Sequence, residues 1–133
     1  MNPLIKCFKM NMNVNMKNSE SVMHDGGMLE YSRINNITIQ TWSPFQHGFF
    51  DGTYIDNEDF SELNAKLEQI GEKYGLTKTG TAAAWILRHP ANMQLIAGTM
   101  NPERLKEICK AADVTLTRSE WYEIYCSAGH CLP

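Results

Sequence analysis

Hydrophobic side chains recur every three or four residues through the middle of the chain, which is the spacing of an amphipathic helix. The repeating positions are Phe60, Leu63, Leu67, Ile70 and Tyr74. Gly75 comes next and predicts the end of this helix, because glycine enters the left-handed backbone conformation without strain. A second helix is predicted from 79–81 to Pro90, and it is apolar on nearly all sides around Trp85. We therefore expect the second helix to be buried on most of its surface.

Two further helices carry clear start signals. The last helix begins after Thr117, which is spaced to form a capping box with Glu120, and Gly129 ends it. The other begins after Asn101, a good N-cap, with proline at its first position. Its predicted inner face is Leu105, Ile108, Cys109 and Ala112. The predicted inner face of the last helix is Trp121, Ile124, Tyr125 and Ala128.

Short apolar runs between these helices read as strands. Ile37–Ser43 is rich in β-forming residues and closes at a proline, and Met93–Ala97 is a second apolar run. Earlier in the chain, 19–36 has a helical pattern at its C-terminal end, built from Met28, Leu29, Tyr31 and Ile34, and Asn35-Asn36 predicts where it stops. Residues 4–10 could form a strand, whereas 1–18 as a whole, rich in Asn and Met, predicts a poorly structured start.

The alternation of strands and helices predicts the α/β class, with a parallel sheet covered by helices. Two good strands and one doubtful one make a very small sheet. Parallel sheets need both faces covered and tolerate open edges poorly. The pattern therefore indicates part of a larger fold.

Composition narrows the function. The 133 residues are 43% hydrophobic and 20% charged with a formal net charge of −3, as in an ordinary globular protein. No segment gathers Lys and Arg, which gives no support to nucleic-acid or anionic-membrane binding. No apolar run is long enough to span a membrane, and the start lacks a signal-peptide pattern. We therefore expect a cytoplasmic protein.

The four cysteines form no CxxC pair, and we expect reduced thiols. Cys126, His130 and Cys131 cluster near the end of the chain. A zinc site needs about four ligands, and only these three residues come together. The sequence therefore predicts no metal site.

The segment 95–112 has the order strand, short turn, helix. Thr99, Arg104 and the start of the helix converge in this pattern, which is one way to hold a phosphate group. An ordinary capped helix with Arg104 in solvent explains the same residues. The loop 45–59 also has two interpretations. It is a functional loop, or it is a surface loop held in place by Phe49, Phe50 and Tyr54.

Three motifs in order resemble the aldo-keto reductase family: TWSPF after the first strand, LRHPANMQLIAGTMNPERL, and TLTRSEWYEIY at the end. The resemblance extends from about Asn13 to Pro133. It implies a (β/α)8 barrel, which takes about 250 residues. The chain would then be a single truncated domain over 1–133. That domain would hold the C-terminal half of the barrel, about strands 6–8 with their helices and the C-terminal helix.

The resemblance also implies a cofactor, NADP(H), with NAD(H) left open. Trp42 falls where the family stacks an aromatic ring on the nicotinamide, and 45–59 becomes the loop on the cofactor side. Thr99 and Arg104 match the grip on the 2′-phosphate, for which an Arg fork is suited. The cofactor contacts that the resemblance implies are Trp42, Ser43, Pro44, Phe45, Gln46, Gly98, Thr99, Met100, Asn101, Arg104 and Glu107. Gly98 and Ile108 stand where many members carry Lys and Asn or Gln, which weakens an NADP preference.

The family's reaction uses an Asp, a Tyr, a Lys and a His from the first half of the barrel. No motif in this chain matches them, so no catalytic residue is assigned. Two hypotheses follow. The chain is a reductase fragment that is inactive alone, or it is a non-catalytic module that binds the dinucleotide, pairs with itself or complements another half barrel.

Overall fold

A computed structural model describes residues 27–47, 52–130 and 132. Within them the chain forms five α-helices and two β-strands. In order these are α1 (Met28–Ile34), β1 (Ile39–Thr41), α2 (Ser61–Tyr74), α3 (Lys78–Leu87), β2 (Met93–Leu95), α4 (Pro102–Lys110) and α5 (Arg118–Ser127). Short 3-10 turns at Glu58–Phe60 and Ala111–Asp113 precede α2 and follow α4. The strand and irregular segment predicted within 1–18 lie outside the described residues.

The two strands pair in parallel, with Ile39 opposite Met93 and Thr41 opposite Leu95. Parallel neighbours require a long crossover, and α2 and α3 supply it. A parallel pair joined through helices is consistent with part of a (β/α)8 barrel. None of the described helices combines the length and apolarity needed to cross a membrane.

Both strands are shorter than their apolar runs predict. Asn36 and Ser43 have φ angles of 53° and 49°, so the backbone leaves the extended conformation on both sides of β1. Beyond β2, the Gly98 N–H donates to the Ile96 carbonyl (3.0 Å) and the Thr99 N–H donates to the Ala97 carbonyl (2.7 Å). The Ile96 N–H still donates to the Thr41 carbonyl of β1 (3.2 Å), and beyond it these tight local turns replace the ladder that the run 93–97 predicts.

Helix α3 is the centre of the core, as its pattern predicts. Every residue from Gly80 to Ile86 is buried, and α3 contacts α2, α4 and β2. Trp85 is fully buried and stacks on Trp121 of α5, with 4.5 Å between ring centroids. The Trp85 indole N–H donates to the Trp121 carbonyl (2.9 Å), and the Trp121 indole N–H donates to the Trp85 carbonyl (3.0 Å). The two helices are therefore joined by packing and by two reciprocal hydrogen bonds.

The capping box predicted for α5 is present, and Glu120 does more than cap. Its carboxylate accepts from the Thr117 N–H (2.9 Å) and hydroxyl (2.8 Å), from the Tyr74 hydroxyl (2.8 Å) and from the Lys73 ammonium (3.2 Å). Burial alone would raise the pKa of Glu120, but these hydrogen bonds lower it to about 2. The hydrogen bond to Glu120 in turn raises the pKa of Tyr74.

The predicted inner face of α4 is wrong in part. Ile108 is buried, but Leu105 is 45% exposed, and Cys109 and Ala112 are exposed as well. Ala111, which the pattern leaves out, is fully buried. The physical reason is that this segment packs on α3 through Ile108 and Ala111, which leaves Leu105 and Cys109 beside the contact. The 3-10 turn that starts at Ala111 leaves Ala112 exposed.

The apolar face predicted for α1 is largely exposed. Met28, Tyr31 and Ile34 are 54%, 63% and 80% exposed, and Ser32 is the buried residue of the helix. In the part of the chain that the structure describes, this apolar surface therefore has little cover.

Candidate functional site

A cleft of about 880 Å³ opens beyond the carboxyl ends of β1 and β2. Its volume lies within the usual range for small-molecule and cofactor sites. The segment after β1, the turn after β2 and the inner side of α4 contribute Ser43, Pro44, Phe45, Gln46, Gly98, Thr99, Asn101, Glu103, Arg104, Glu107 and Ile108. The opposite wall consists of Thr53, Ile55, Asp56, Glu68, Glu72, Leu76, Thr77, Lys78 and Thr79.

The cleft brings together the predicted cofactor contacts with two exceptions. Trp42 and Met100 do not line it, and they are 62% and 100% exposed. Trp42 directly follows β1, so it stands at the same end of the sheet as the cleft. The role of each predicted contact in binding stays a prediction.

The start of α4 is built as its sequence predicts, with Asn101 as the cap. The Asn101 side-chain oxygen accepts from the Glu103 N–H (2.9 Å) and from the Arg104 N–H (3.3 Å). Pro102 has no N–H, so the first amides of α4 are already used or missing. The Thr99 hydroxyl oxygen accepts from the Asn101 N–H (3.2 Å), which leaves the hydroxyl hydrogen to donate. Anion contacts at this corner therefore fall to side chains rather than to the helix amides.

Arg104 carries the positive charge at this corner. It is exposed and, within the described residues, makes no ion pair. Glu107, one turn later on α4, accepts a hydrogen bond from the Thr77 hydroxyl (3.2 Å) at the start of α3. This bond links the two walls of the cleft and fixes the Glu107 carboxylate beside it.

Lys78, on the facing wall, is neutralised locally. Its ammonium lies 2.6 Å from the Asp56 carboxylate and 4.0 Å from that of Glu68. The hydrogen bond to Asp56 raises the pKa of Lys78. Sequence reasoning missed Lys78 as a cleft residue because its place depends on how the turn between α2 and α3 packs beside α4.

Carboxylates outnumber cations along the cleft. Among the described residues that line it, the acidic ones are Asp56, Glu68, Glu72, Glu103 and Glu107, and the basic ones are Lys78 and Arg104. Lys106, outside the lining, pairs with Glu103 (2.8 Å). A ribose hydroxyl donates hydrogen bonds to carboxylates, whereas an additional phosphate would be repelled by them. The charge distribution thus suits hydroxyl groups better than anionic groups, except at Arg104.

The loop beside the cleft is held by one buried amide. Asn64 of α2 is 7% exposed, and its oxygen accepts from the Asp56 N–H (2.9 Å). Its NH₂ group lies within hydrogen-bonding distance of the Tyr54 (2.7 Å), Phe60 (3.0 Å) and Asn57 (3.4 Å) carbonyls. Tyr54 is itself fully buried. An asparagine on the inner face of a helix next to a long loop was the sequence signal for this anchor, and sequence reasoning missed it.

Tyr54 is thus one of the residues expected to pin the loop, while Phe49 and Phe50 lie outside the described residues. The Tyr54 N–H donates to the Phe45 carbonyl (3.1 Å), and an isolated bridge joins Gln46 and Thr53. The loop therefore returns to the strand end from which it left and forms one wall of the cleft.

No group of three or more potential metal ligands comes together in the described part of the chain. Cys131, the third member of the cysteine and histidine cluster, lies outside it. The structure leaves the predicted absence of a metal untested.

Comparison with known proteins gives one family match. The sequence model of the Aldo/keto reductase family matches residues 5–126. A 6-dehydroglucose reductase of Agrobacterium fabrum is 36% identical over 100 residues, which cover 74% of this chain and 32% of the relative. The aldo-keto reductase yakc [NADP(+)] of Schizosaccharomyces pombe is 28% identical over 118 residues, 74% of this chain and 35% of the relative.

A further relative carries a different cofactor in its name. The NADH-specific methylglyoxal reductase of Escherichia coli is 24% identical over 111 residues, 70% of this chain and 34% of the relative. The names of these relatives thus include both NADP and NADH. The matched part of the chain spans about a third of the length of each of these curated relatives.

Proposed function

The chain belongs to the aldo/keto reductase family, and we propose that it is the part of an NAD(P)H-dependent carbonyl reductase that holds the dinucleotide. The observation that carries the proposal is the cleft at the strand ends, where residues after β1 and after β2 meet around one space. In α/β folds of this class, ligands bind at the carboxyl ends of the strands.

The residues of the cleft fit a dinucleotide in size and in hydrogen bonding. Ser43, Gln46 and the Thr99 hydroxyl supply donors for phosphate oxygens. Glu107, fixed by Thr77, supplies an acceptor for ribose or adenine groups. Trp42 stands exposed at the end of β1, where an aromatic ring suits the nicotinamide. When bound, the cofactor would supply the hydride that reduces a carbonyl carbon.

The preferred cofactor in this proposal is NADP(H), with the Arg104 guanidinium on the 2′-phosphate. The alternative is NAD(H), which the carboxylate-rich cleft and Gly98 favour. Calorimetric titration of the pure chain with NADPH and NADH decides between them. We expect Arg104→Ala to weaken NADPH about 10- to 100-fold, as for loss of a charge-assisted contact, and to change NADH by less than about twofold.

The control is Arg33→Ala, which removes the same charge from exposed α1. Equal losses for NADPH and NADH with Arg104→Ala would refute the 2′-phosphate assignment. Absence of saturable binding of either dinucleotide would refute the function itself.

We expect no carbonyl reduction by this chain alone. Hydride transfer needs a proton donor within hydrogen-bonding reach of the carbonyl oxygen, and no motif here corresponds to the family's Asp, Tyr, Lys and His. Turnover of a simple aldehyde with NADPH by the pure chain would contradict this expectation.

The second candidate is a non-catalytic module that assembles with a copy of itself or with another part of a barrel. The exposed apolar face of α1, formed by Met28, Tyr31 and Ile34, favours it. Light scattering of the wild-type chain should then show a mass above that of the monomer, and a Tyr31→Ser/Ile34→Ser variant should lower it. Leu105→Ser on α4 is the matched control. A monomeric wild-type chain with cooperative unfolding would contradict assembly.

A further inference from the structure

A second, smaller pocket lies at the opposite end of β2 from the cleft. Its volume is about 260 Å³, and its walls are Arg88, His89, Pro90, Arg118, Trp121 and Tyr122. The segment 88–90 leads into the start of β2, whereas the cleft residues follow the end of that strand. Within the described part of the chain, no residue lines both this pocket and the proposed dinucleotide site.

The pocket holds two guanidinium groups, and none of the described residues that line it carries a carboxylate. Among the described residues, neither Arg88 nor Arg118 forms an ion pair. Basic side chains beside acidic ones are usually neutralised by them, as Lys78 is by Asp56 in the cleft. Two unneutralised guanidinium groups around one concave space are what a carboxylate or phosphate ligand requires.

Both arginines are held in place by the protein. The Arg88 Nε–H donates to the Leu116 carbonyl (2.8 Å), which orients the guanidinium and leaves its terminal nitrogens for other partners. The Arg118 guanidinium lies over the Tyr122 ring, 5.7 Å from its centroid. A site whose side chains are already oriented loses less conformational entropy when a ligand binds.

The remaining walls are rigid and largely apolar. Trp121 stacks on Trp85 and on Tyr125, with centroid distances of 4.5 Å and 5.6 Å, and meets Tyr122 edge-on at 87°. His89 accepts the Ala91 N–H at Nδ1 (3.2 Å), which fixes the imidazole ring beside the pocket. With Pro90, these rings offer a surface for the uncharged body of a ligand.

We propose that this pocket binds a small organic anion. The carboxylate or phosphate head lies between Arg88 and Arg118, and the apolar body lies against Pro90, Trp121 and Tyr122. Its volume is slightly below the usual range for drug-sized ligands, so the ligand has about one ring rather than several. The proposal does not rest on the dinucleotide function, because the described residues that line the two sites are different ones.

The test uses benzoate and phenyl phosphate as probes, titrated into the whole chain and followed by NMR. We expect saturable shifts of the Trp121 indole N–H and of the Arg118 and Tyr122 amides, with a dissociation constant on the order of 1 mM. Arg118→Gln should weaken binding about tenfold or more. Because Arg118 is exposed and Thr117 retains its cap, this variant is expected to fold, and a thermal melt checks it.

Three controls make the outcome decisive. Arg33→Gln removes the same charge from a helix outside the pocket and should leave binding unchanged. Benzyl alcohol retains the ring without the charge, and inorganic phosphate retains the charge without the ring. Binding of benzyl alcohol as tight as that of benzoate would overturn the guanidinium assignment, and binding of inorganic phosphate as tight as that of phenyl phosphate would overturn the apolar wall. Absence of saturable shifts with either probe would overturn the site.

Discussion

The helical layer, formed by α2, α3 and α5, and the sheet end, the carboxyl end of β1 and β2, differ in how deeply their side chains are buried. In the helical layer, Trp85 is completely buried and hydrogen-bonded, and Glu120 accepts from three side chains and one amide. At the carboxyl end of the sheet, Trp42 after β1 is 62% exposed and Met100 after β2 is 100% exposed. The layer therefore has its own core, whereas the sheet end carries apolar groups that only ligands or other chain segments would cover.

The largest expected difference in stability is between substitutions of two tryptophans, Trp85 and Trp42. Trp85→Ala should lower the free energy of unfolding by about 3–5 kcal/mol, because it leaves a cavity in the core. Trp42→Ala should change it by no more than about 0.5 kcal/mol, because the side chain is largely exposed. Urea denaturation of both variants measures the difference. Similar losses for the two would mean that the sheet end is as well packed as the helices.

Alanine substitutions at two glycines compare the packing of the same two regions. A Cβ on Gly71 of α2 would lie 2.5 Å from the Thr81 hydroxyl oxygen and 2.6 Å from the Leu76 carbonyl oxygen. Gly71→Ala should therefore cost about 1–3 kcal/mol through overpacking. A Cβ on Gly98, in the turn after β2, would meet no atom within 4 Å, so Gly98→Ala is the control. If thermal unfolding shows that Gly98→Ala is less stable than Gly71→Ala, the close approach of α2 and α3 is contradicted.

Glu120 makes the stability of the helical layer depend on pH. Its pKa falls from the ordinary 4.5 to about 2 on folding, so its stabilisation is complete above about pH 4.5 and is lost as the pH falls toward 2. Glu120→Gln should cost about 1–3 kcal/mol at neutral pH and flatten stability across this window. The exposed neighbour Glu123 provides the control, Glu123→Gln. Urea midpoints measured at several pH values check it, and an unchanged slope in Glu120→Gln would refute the role.

The helical layer was largely predictable because its signals are local. The spacing of Leu63, Leu67 and Ile70 and the pairing of Thr117 with Glu120 each depend on residues a few positions apart. The α4 face was predicted less well, since the segment packs on α3 through Ile108 and Ala111 and changes to a 3-10 turn at Ala111. Local periodicity does not report where a helix tightens.

The cleft was predictable only on the side that the family motifs cover. Residues after β1 and β2 stand in those motifs, and the structure brings most of them together. The other wall depends on the turn between α2 and α3 and on Asn64, which folds the loop back by hydrogen bonds to backbone groups. Such long-range contacts have no short sequence pattern, so Lys78 and Asp56 were missed.

The most direct test of the cleft as a dinucleotide site is an NMR titration of the whole chain with NADPH. We expect saturable shifts at Ser43 and Gln46 after β1, at Thr99 and Arg104 after β2, and at the Trp42 indole. We expect no comparable shift at Tyr122 in the second pocket. Shifts confined to the second pocket, or no saturable shift at the strand ends, would contradict the assignment of the cleft as the dinucleotide site.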